Sequence, residues 1–166
     1  TTGAVTITDG TDVTFADTVN ATEISQVAGS GTTTFNGVVT TSGAAGVDVT
    51  NGDIDLNNTI TTAGNGTVDL DADTGDLDIA AAGDISADGA VTLSAGNGAI
   101  NTAGDVTTTD DNITFSHATV LTGNVAVSSD AGAGTITFAD TLDGTFNLAL
   151  TAGAGDIDFD AAVGTT

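Results

Sequence analysis

The chain contains no lysine and no arginine, so its acidic side chains have no permanently charged cationic partner. Its 166 residues include 23 aspartates and glutamates and one histidine, which gives a formal charge of −23. Such a surface repels nucleic-acid phosphates and anionic membranes, and we expect neither to be a partner. The same charge attracts cations, which makes divalent cations candidate partners.

Cysteine, tryptophan and tyrosine are also absent. Without cysteine, the chain can form neither disulfides nor thiolate metal sites. No apolar run approaches the length that a membrane-spanning helix needs, so the sequence predicts no transmembrane helix and no membrane insertion. The chain starts at Thr1 in mid-pattern, and we expect it to be a mature segment or a piece of a longer protein. The lack of trypsin sites suits an extracellular location.

Phenylalanine is scarce, and five of the six residues fall at one position of an internal repeat. The repeat begins with a segment of the form Ile-x-Phe, in which an aliphatic residue replaces phenylalanine in two copies. The anchors at this position are Phe15, Phe35, Leu56, Ile79, Phe115, Phe138 and Phe159. From Phe15 to Ile79, and again from Phe115 to Phe159, each anchor follows the last at a nearly constant interval. That interval, roughly 20–23 residues, is the length of one coil of a solenoid.

Each repeat divides into three short segments in which apolar and polar residues alternate, as they do in half-buried strands. The second segment is centred four residues after the anchor, and the third is the longest, as in Val47–Val49. A glycine precedes the inward residue that opens the next coil at Gly31, Gly52, Gly75, Gly98, Gly134 and Gly155. We expect these glycines to supply the positive φ of a tight corner.

Three strands and three corners per coil predict an all-β fold, a parallel three-faced β-helix with roughly 20–23 residues per coil. The general crossover preference predicts that it is right-handed. The central prediction is that Phe35, Leu56 and Ile79 lie in one interior file, one coil apart. The interval from Thr102 to Phe115 is little more than half a coil, so we predict an irregular coil near 99–112 that has lost its third strand. The pattern resumes in the same style, which predicts a single domain over 1–166.

The two ends of the chain have complementary patterns. Residues 4–8 resemble a third strand without its first two, and residues 156–163 resemble first and second strands without a third. Placed end to end, Phe159 of one copy and Phe15 of the next would be separated by the length of one normal coil. We therefore expect either a tandem unit or head-to-tail assembly with copies of itself, because solenoid ends are open β edges.

Several segments resemble the repeats of filamentous-haemagglutinin-like bacterial exoproteins. They are Asp-Asn-Ile-Thr-Phe (111–115), Leu-Thr-Gly-Asn-Val-Ala-Val (121–127), Gly-Thr-Ile-Thr-Phe-Ala-Asp-Thr-Leu-Asp-Gly (134–144) and Leu-Thr-Ala-Gly-Ala-Gly-Asp-Ile-Asp-Phe (150–159). The resemblance is strongest over 111–166 and looser over 32–98. It implies a right-handed β-helix stalk, an adhesion or matrix role and an extracellular or bacterial cell-surface location. Surface glycans are a further class of partner that it implies.

Stacked carboxylates are the most chemically informative feature of the predicted faces. The coil register places Asp53 and Asp55 beside Asp76 and Asp78, all pointing outward, and Asp48 beside Asp69. Asp71 and Asp73 add charge at the adjacent corner. Like charges on neighbouring strands repel, and a hard cation with oxygen ligands would relieve the repulsion. We therefore predict Ca²⁺ association at Asp53, Asp55, Asp69, Asp71, Asp73, Asp76 and Asp78, against the alternative of a solvated acidic face screened by salt.

The sequence does not predict an enzyme. Paired carboxylates on a β-helix could hydrolyse glycosides, but the chain lacks the tryptophan and tyrosine platforms of carbohydrate clefts. The only histidine, His117, has no persuasive partner in the sequence, and we expect it at a corner or on the surface. The EF-hand-like start at Asp69 fails, because Gly75 is one position late and position twelve is Ala80.

Threonine pairs suggest a third class of function. Thr6 and Thr8, Thr32 and Thr34, and Thr135 and Thr137 are predicted to point outward, and a flat threonine array can order water at an ice or crystal surface. Aspartates interrupt this array in three coils. The preferred hypothesis is a non-enzymatic extracellular structural protein, a β-solenoid module of a fibre, stalk or adhesin. The alternatives are a solenoid whose threonine-rich face binds ice or crystal surfaces and a carbohydrate-active β-helix enzyme.

Overall fold

The computed structural model describes residues 3–164, which form 22 short β-strands in three parallel sheets. No residue in that range belongs to a helix. In particular, the described part of the chain contains no helix long and apolar enough to cross a membrane. The chain visits sheets 1, 2 and 3 in strict rotation for about seven turns, so every strand pairs with the strand one coil away.

The strands are named in chain order. Sheet 1 contains β1 (Val5–Ile7), β4 (Ile24–Gln26), β7 (Val47–Asn51), β10 (Val68–Ala72), β13 (Val91–Ala95), β16 (Ile113–Phe115), β19 (Ile136–Phe138) and β22 (Ile157–Phe159). Sheet 2 contains β2 (Val13–Phe15), β5 (Thr32–Phe35), β8 (Asp53–Leu56), β11 (Leu77–Ile79), β14 (Ile100–Thr102), β17 (Thr119–Leu121) and β20 (Leu142–Gly144). Sheet 3 contains β3 (Val19–Ala21), β6 (Val39–Thr41), β9 (Ile60–Thr62), β12 (Ile85–Ala87), β15 (Val106–Thr108), β18 (Val125–Ser128) and β21 (Leu148–Thr151).

The alternating sequence of each strand explains its place in a sheet. In β7, Val47 and Val49 are buried while Asp48 between them is exposed, since successive side chains point to opposite faces of a strand. The inward residues of the three sheets meet in one continuous core along the axis. Val47, Val68 and Val91 show the repeat, because each is the direct partner of the next.

The predicted interior file is confirmed. Phe35 is the partner of Leu56, Leu56 is the partner of Ile79, and all three side chains are buried. The predicted all-β, three-faced parallel solenoid is therefore the fold of the chain.

The predicted loss of the third strand near 99–112 is wrong. That strand is β16 (Ile113–Phe115), which follows β15 and pairs with β13 and β19 in sheet 1. The segment between Thr102 and Phe115 turns two corners, from sheet 2 through sheet 3 to sheet 1. The Ile-x-Phe motif therefore changes face at this point, while the solenoid itself continues.

This change of face splits the phenylalanines into two stacks. Phe15 and Phe35 stack in sheet 2 with ring centroids 4.8 Å apart. Phe138 stacks in sheet 1 between Phe115 at 4.5 Å and Phe159 at 5.4 Å. The long segments after residue 112 are shifted in the same way. Strands β18 and β21 lie in sheet 3, whereas β7, which contains the predicted third segment Val47–Val49, lies in sheet 1.

The corner glycines are required for a different reason from the one predicted. None of the six glycines named in the sequence pattern has a positive φ. Instead, the neighbouring coil's backbone passes so close that a side chain would not fit. A Cβ atom at Gly98 would clash with the carbonyl oxygen of Gly75, and one at Gly155 would clash with that of Gly134.

A buried polar cluster joins sheets 1 and 2 in the first half of the solenoid. The Thr33 hydroxyl donates to Gln26 Oε1 at 2.8 Å and accepts from Asn51 Nδ2 at 2.8 Å. Asn51 Oδ1 also accepts the backbone N–H of Gly52 at 2.9 Å. All three side chains are fully buried, so this cluster holds the corner between the two sheets through internal hydrogen bonds.

Candidate functional site

The predicted carboxylate ladder on sheet 2 is centred on Asp55 and Asp78. The two residues are direct partners on β8 and β11, as the sequence predicted. Asp53 begins β8 and Asp76 immediately precedes β11, so the second pair lies at the corner beside the first. The ladder continues to Asn101, whose Nδ2 donates to Asp78 Oδ1 at 2.8 Å.

The remaining predicted residues lie on a different face. Asp69 and Asp71 are on β10 in sheet 1, and Asp73 follows that strand. Asp69 is the direct partner of Asp48, again as predicted, whereas Asp71 lies between Thr50 and Ser94. The seven predicted cation ligands are therefore divided between two faces of the solenoid.

Asp55 in the sheet 2 ladder and Asp69 in the sheet 1 pair both have a raised pKa. Partial burial raises the pKa of Asp55, the charges of Asp78 and Asp53 raise it further, and a hydrogen bond with Thr34 opposes the shift. Desolvation by the sheet surface also raises the pKa of Asp69, with contributions from Asp48 and Asp71. Both carboxylates therefore favour their protonated form more than an isolated aspartate does.

Asp53 and Asp76 have a structural task that the sequence did not reveal. Asp53 Oδ1 accepts the backbone N–H of Asp76 at 3.0 Å, and Asp76 Oδ1 accepts that of Ala99 at 2.8 Å. Asp12 does the same for Thr32 at 3.1 Å. Each carboxylate thus binds an amide of the following coil, which holds neighbouring coils in register at this corner.

This arrangement is unlike a chelating calcium centre. Calcium in proteins takes six to eight oxygen ligands. Within residues 3–164, no group of three or more acidic, histidine or cysteine side chains is placed to hold a metal ion. The ladders offer pairs of carboxylates, which suit association of a cation with a pair or with the whole face.

The predicted outward threonines do not share one face. Thr6 lies on β1 and Thr137 on β19, both in sheet 1, whereas Thr32 and Thr34 lie on β5 in sheet 2. A more regular hydroxyl column occurs on sheet 3, where one outward residue per coil is a direct partner of the next. This sheet 3 column consists of Thr40, Thr61, Ser86, Thr107, Ser128 and Thr151.

The sheet 3 column is free of charge along its length, although Asp84 and Asp105 lie one position before β12 and β15 on the same sheet. Its first four members could have been found in the sequence, because a threonine or serine follows the second-segment residues Val39, Ile60, Ile85 and Val106. The change of face after residue 112 hid its continuation to Ser128 and Thr151.

The last coil exposes side chains that would be core residues in any inner coil. Ile157 and Phe159 on β22 are 40% and 42% exposed, and Val163, which bridges to Leu142, is 57% exposed. An apolar recess of about 250 Å³ opens at this end between sheets 2, 3 and 1. Its lining includes Leu142, Phe146, Leu148, Leu150, Phe159 and Val163.

His117 is placed at the corner after β16, in agreement with the sequence prediction. Its Nδ1 accepts the backbone N–H of Ala95 at 3.3 Å and lies 3.2 Å from Ser94 Oγ. Nδ1 is therefore the acceptor in the contact with the Ala95 amide. The histidine helps to hold two coils together.

Compared with protein-family models, curated proteins and solved structures, the chain matches none of them. The likeness to filamentous-haemagglutinin-like repeats therefore stays a prediction. The fold defines the chain as a parallel β-solenoid, and this fold is consistent with a structural repeat module.

Proposed function

We propose that the chain is a non-enzymatic structural module of an extracellular bacterial fibre, stalk or adhesin. The observation that carries this proposal is the continuity of the three sheets, which run through about seven coils around one apolar core. Each coil contributes about 4.8 Å to the length, so the module is roughly 35 Å long. A spacer of this kind would transmit force along its axis.

The composition supports a mechanical role over a catalytic one. The chain has no lysine or arginine to stabilise a developing anion, and no tryptophan or tyrosine to form a sugar-binding platform. The interior is filled by stacked phenylalanine, valine, isoleucine and leucine side chains. The acidic faces would keep the module soluble, and association of Ca²⁺ with the carboxylate pairs would stiffen it by removing repulsion between coils.

Joined copies test the mechanical proposal. Four copies of the chain, linked directly and imaged by negative-stain electron microscopy, should give straight particles of constant width and roughly 140 Å in length. A matched chain with a flexible Gly-Ser linker between copies should give bent particles with visible joints. Compact or jointed particles from the directly linked chain would contradict the proposal.

A second candidate function is binding to an ordered surface such as ice or a mineral. The sheet 3 column favours it, because its hydroxyls repeat at the strand spacing of about 4.8 Å along a straight face. Thermal hysteresis and crystal shaping measure this activity directly. Thr61→Asp should abolish thermal hysteresis and crystal shaping, and Thr137→Asp on sheet 1 serves as the matched control. Equal effects of the two changes would exclude this function, and so would a lack of activity in the unaltered chain.

A further inference from the structure

Four asparagines in the chain are followed directly by glycine: Asn36, Asn51, Asn65 and Asn97. An asparagine in such a pair can lose its side-chain amide, because the backbone nitrogen of the next residue can attack Cγ and close a five-membered ring. Glycine favours this attack, since it has no Cβ and its backbone is free to turn. The four pairs share this tendency in an unfolded chain, so the fold decides which of them reacts.

Asn51 is protected by burial. Its Nδ2 donates to Thr33 Oγ1 at 2.8 Å, and its Oδ1 accepts the N–H of Gly52 at 2.9 Å. The side chain is fully buried. Hydrogen bonds therefore fix both ends of the amide, and the surrounding core keeps out the water and base that the reaction needs.

Asn36 is held by the neighbouring coils, although its side chain is exposed. Its Oδ1 accepts a hydrogen bond from Asn57 Nδ2 at 3.1 Å, and its carbonyl oxygen accepts one from Asn58 Nδ2 at 3.2 Å. Gly37 is buried, and its N–H donates to the carbonyl oxygen of Phe15 at 3.1 Å. Both the attacking nitrogen and the amide that it would attack are thus bound to other coils.

Asn65 is held through its backbone. Its φ is 62°, and its N–H donates to Asp88 Oδ2 at 2.8 Å. Gly66 is buried, and its carbonyl oxygen accepts the hydroxyl of Thr62. Ring closure would have to turn the peptide unit between Asn65 and Gly66, and these contacts oppose that rotation.

Asn97 has none of these restraints. Its side chain is exposed and makes no hydrogen bond within residues 3–164. Its φ is not positive. Gly98 is only half-buried, and its N–H donates to Ala95 at 3.2 Å, inside the same corner and not to another coil. The Asn97 amide is therefore free to rotate toward the Gly98 nitrogen in contact with water.

We propose that Asn97 is a site of spontaneous deamidation and that the fold protects the other three pairs. The Gly98 nitrogen attacks Cγ of Asn97, the bond from Cγ to Nδ2 breaks, and ammonia leaves with the proton of the Gly98 amide. Water then opens the succinimide at either carbonyl and gives aspartate or isoaspartate. The chain gains one carboxylate, and in isoaspartate its main chain also gains one carbon atom. This inference is independent of the proposed structural function.

The modification falls at a corner where adjacent coils lie in close contact. Gly98 lies against the backbone of Gly75, and the next residue, Ala99, donates its N–H to Asp76 Oδ1 at 2.8 Å. A longer main chain at position 97 would move Ala99 away from this acceptor. The new carboxylate would also repel Asp76, with no lysine or arginine to offset the charge. The modified protein should therefore melt at a lower temperature than the unmodified protein.

Timed incubation of the folded chain in a mildly alkaline buffer tests the proposal. A protease that cleaves at aspartate places the four pairs in four different peptides, with Asn97 between Asp88 and Asp105. Mass spectrometry of these peptides then measures the loss of each amide. Asn97 should react at least tenfold faster than each of the other three asparagines. In denaturant the four rates should become similar, because the contacts that protect three of the pairs are lost.

Two variants provide a matched comparison. Asn97→Gln should remove the more acidic product seen on isoelectric focusing, because the longer glutamine side chain closes a ring far more slowly, whereas Asn36→Gln should leave that product unchanged. Equal or faster reaction of any other pair in the folded chain would overturn the proposal. It would also be overturned if Asn97 stayed intact in the folded chain while all four pairs reacted in denaturant. An unchanged melting temperature of the isolated product would refute the loosening of the corner.

Discussion

Asp55 and Asp78 are direct partners on neighbouring parallel strands, and both carboxylates point away from the core. No lysine or arginine exists to separate their charges. Their mutual repulsion is one reason that the pKa of Asp55 lies above its usual value, after the effect of its partial burial. The pair therefore destabilises the folded chain whenever both carboxylates are ionised.

The first prediction is that mild acid stabilises this protein. A carboxylate whose pKa is raised by folding binds its proton more tightly in the folded state. Its contribution to stability is therefore fully present below the ordinary aspartate pKa of about 4. That contribution is lost as the pH rises through the raised pKa. Asp55 and Asp69 both act in this direction. The melting temperature should rise as the pH falls from 7 toward the ordinary aspartate pKa of about 4, and Asp55→Asn should flatten this slope.

Neighbouring positions in the ladder supply matched controls for that measurement. Asp78→Asn keeps an acceptor for Asn101 and removes one charge, so it should stabilise the chain at pH 7 by about 0.2–1 kcal/mol. Asn101→Asp adds a third carboxylate and should destabilise it by a similar amount. If Asp78→Asn lowers the melting temperature at neutral pH, the repulsion between the two aspartates is not the dominant effect.

The second prediction concerns calcium. Ca²⁺ should raise the melting temperature by several degrees beyond the effect of NaCl at the same ionic strength, because a divalent ion bridges paired carboxylates more effectively than a monovalent one. Differential scanning calorimetry with both salts measures the difference. Asp55→Asn combined with Asp78→Asn should remove most of the calcium-specific part. Equal curves for the two salts would show that the acidic faces are only screened.

The third prediction tests the close approach of the coils at the corners. Gly98→Ala places a methyl group against the backbone of Gly75, and overpacking of this kind costs about 1–3 kcal/mol. Chemical denaturation should show the loss as a lower midpoint. Gly10→Ala is the control, because its new methyl group meets only side chains of Val13 and Ile7. A cost for Gly98→Ala no larger than that of the control would mean that the coils can separate at this corner.

The fourth prediction tests the buried cluster of Gln26, Thr33 and Asn51. Asn51→Ala leaves the Gly52 N–H and the Thr33 hydroxyl without this partner, and each buried group left without a hydrogen bond costs about 1–3 kcal/mol. Asn57→Ala removes an exposed hydrogen bond to Asn36 of the same type and should change stability by no more than about 0.5 kcal/mol. Similar values for the two variants would contradict a structural role for the cluster.

The sequence predicted the fold well because apolar spacing and coil length repeat together. Phe35, Leu56 and Ile79 lie at equivalent points of a period set by the backbone, and the pairing that this period predicts buries all three. The same spacing placed Asp55 beside Asp78 and Asp48 beside Asp69. These predictions needed only the alternation of a strand and the number of residues in a coil.

The errors came from side chains that look alike on different faces. Phe35 and Phe115 share a local motif, but the motif does not specify which sheet it joins. The short interval from Thr102 to Phe115 therefore predicted a lost strand that the structure does not show. The hydrogen bond that the Asp53 carboxylate accepts from the Asp76 amide of the next coil could not be predicted, because it depends on how far one corner projects over another. The corner glycines were found, but their reason lies in the neighbouring backbone and not in their own φ.

The carboxylates of Asp12, Asp53 and Asp76 each receive an amide from the coil that follows in the chain, never from the one before. At this corner, a finished coil thus carries both the strand edges and the carboxylate acceptors to which its successor binds. Folding can therefore advance vectorially, layer upon layer, as the polypeptide emerges from its amino terminus. Such a chain would not have to wait for its carboxyl terminus before its first layers become ordered.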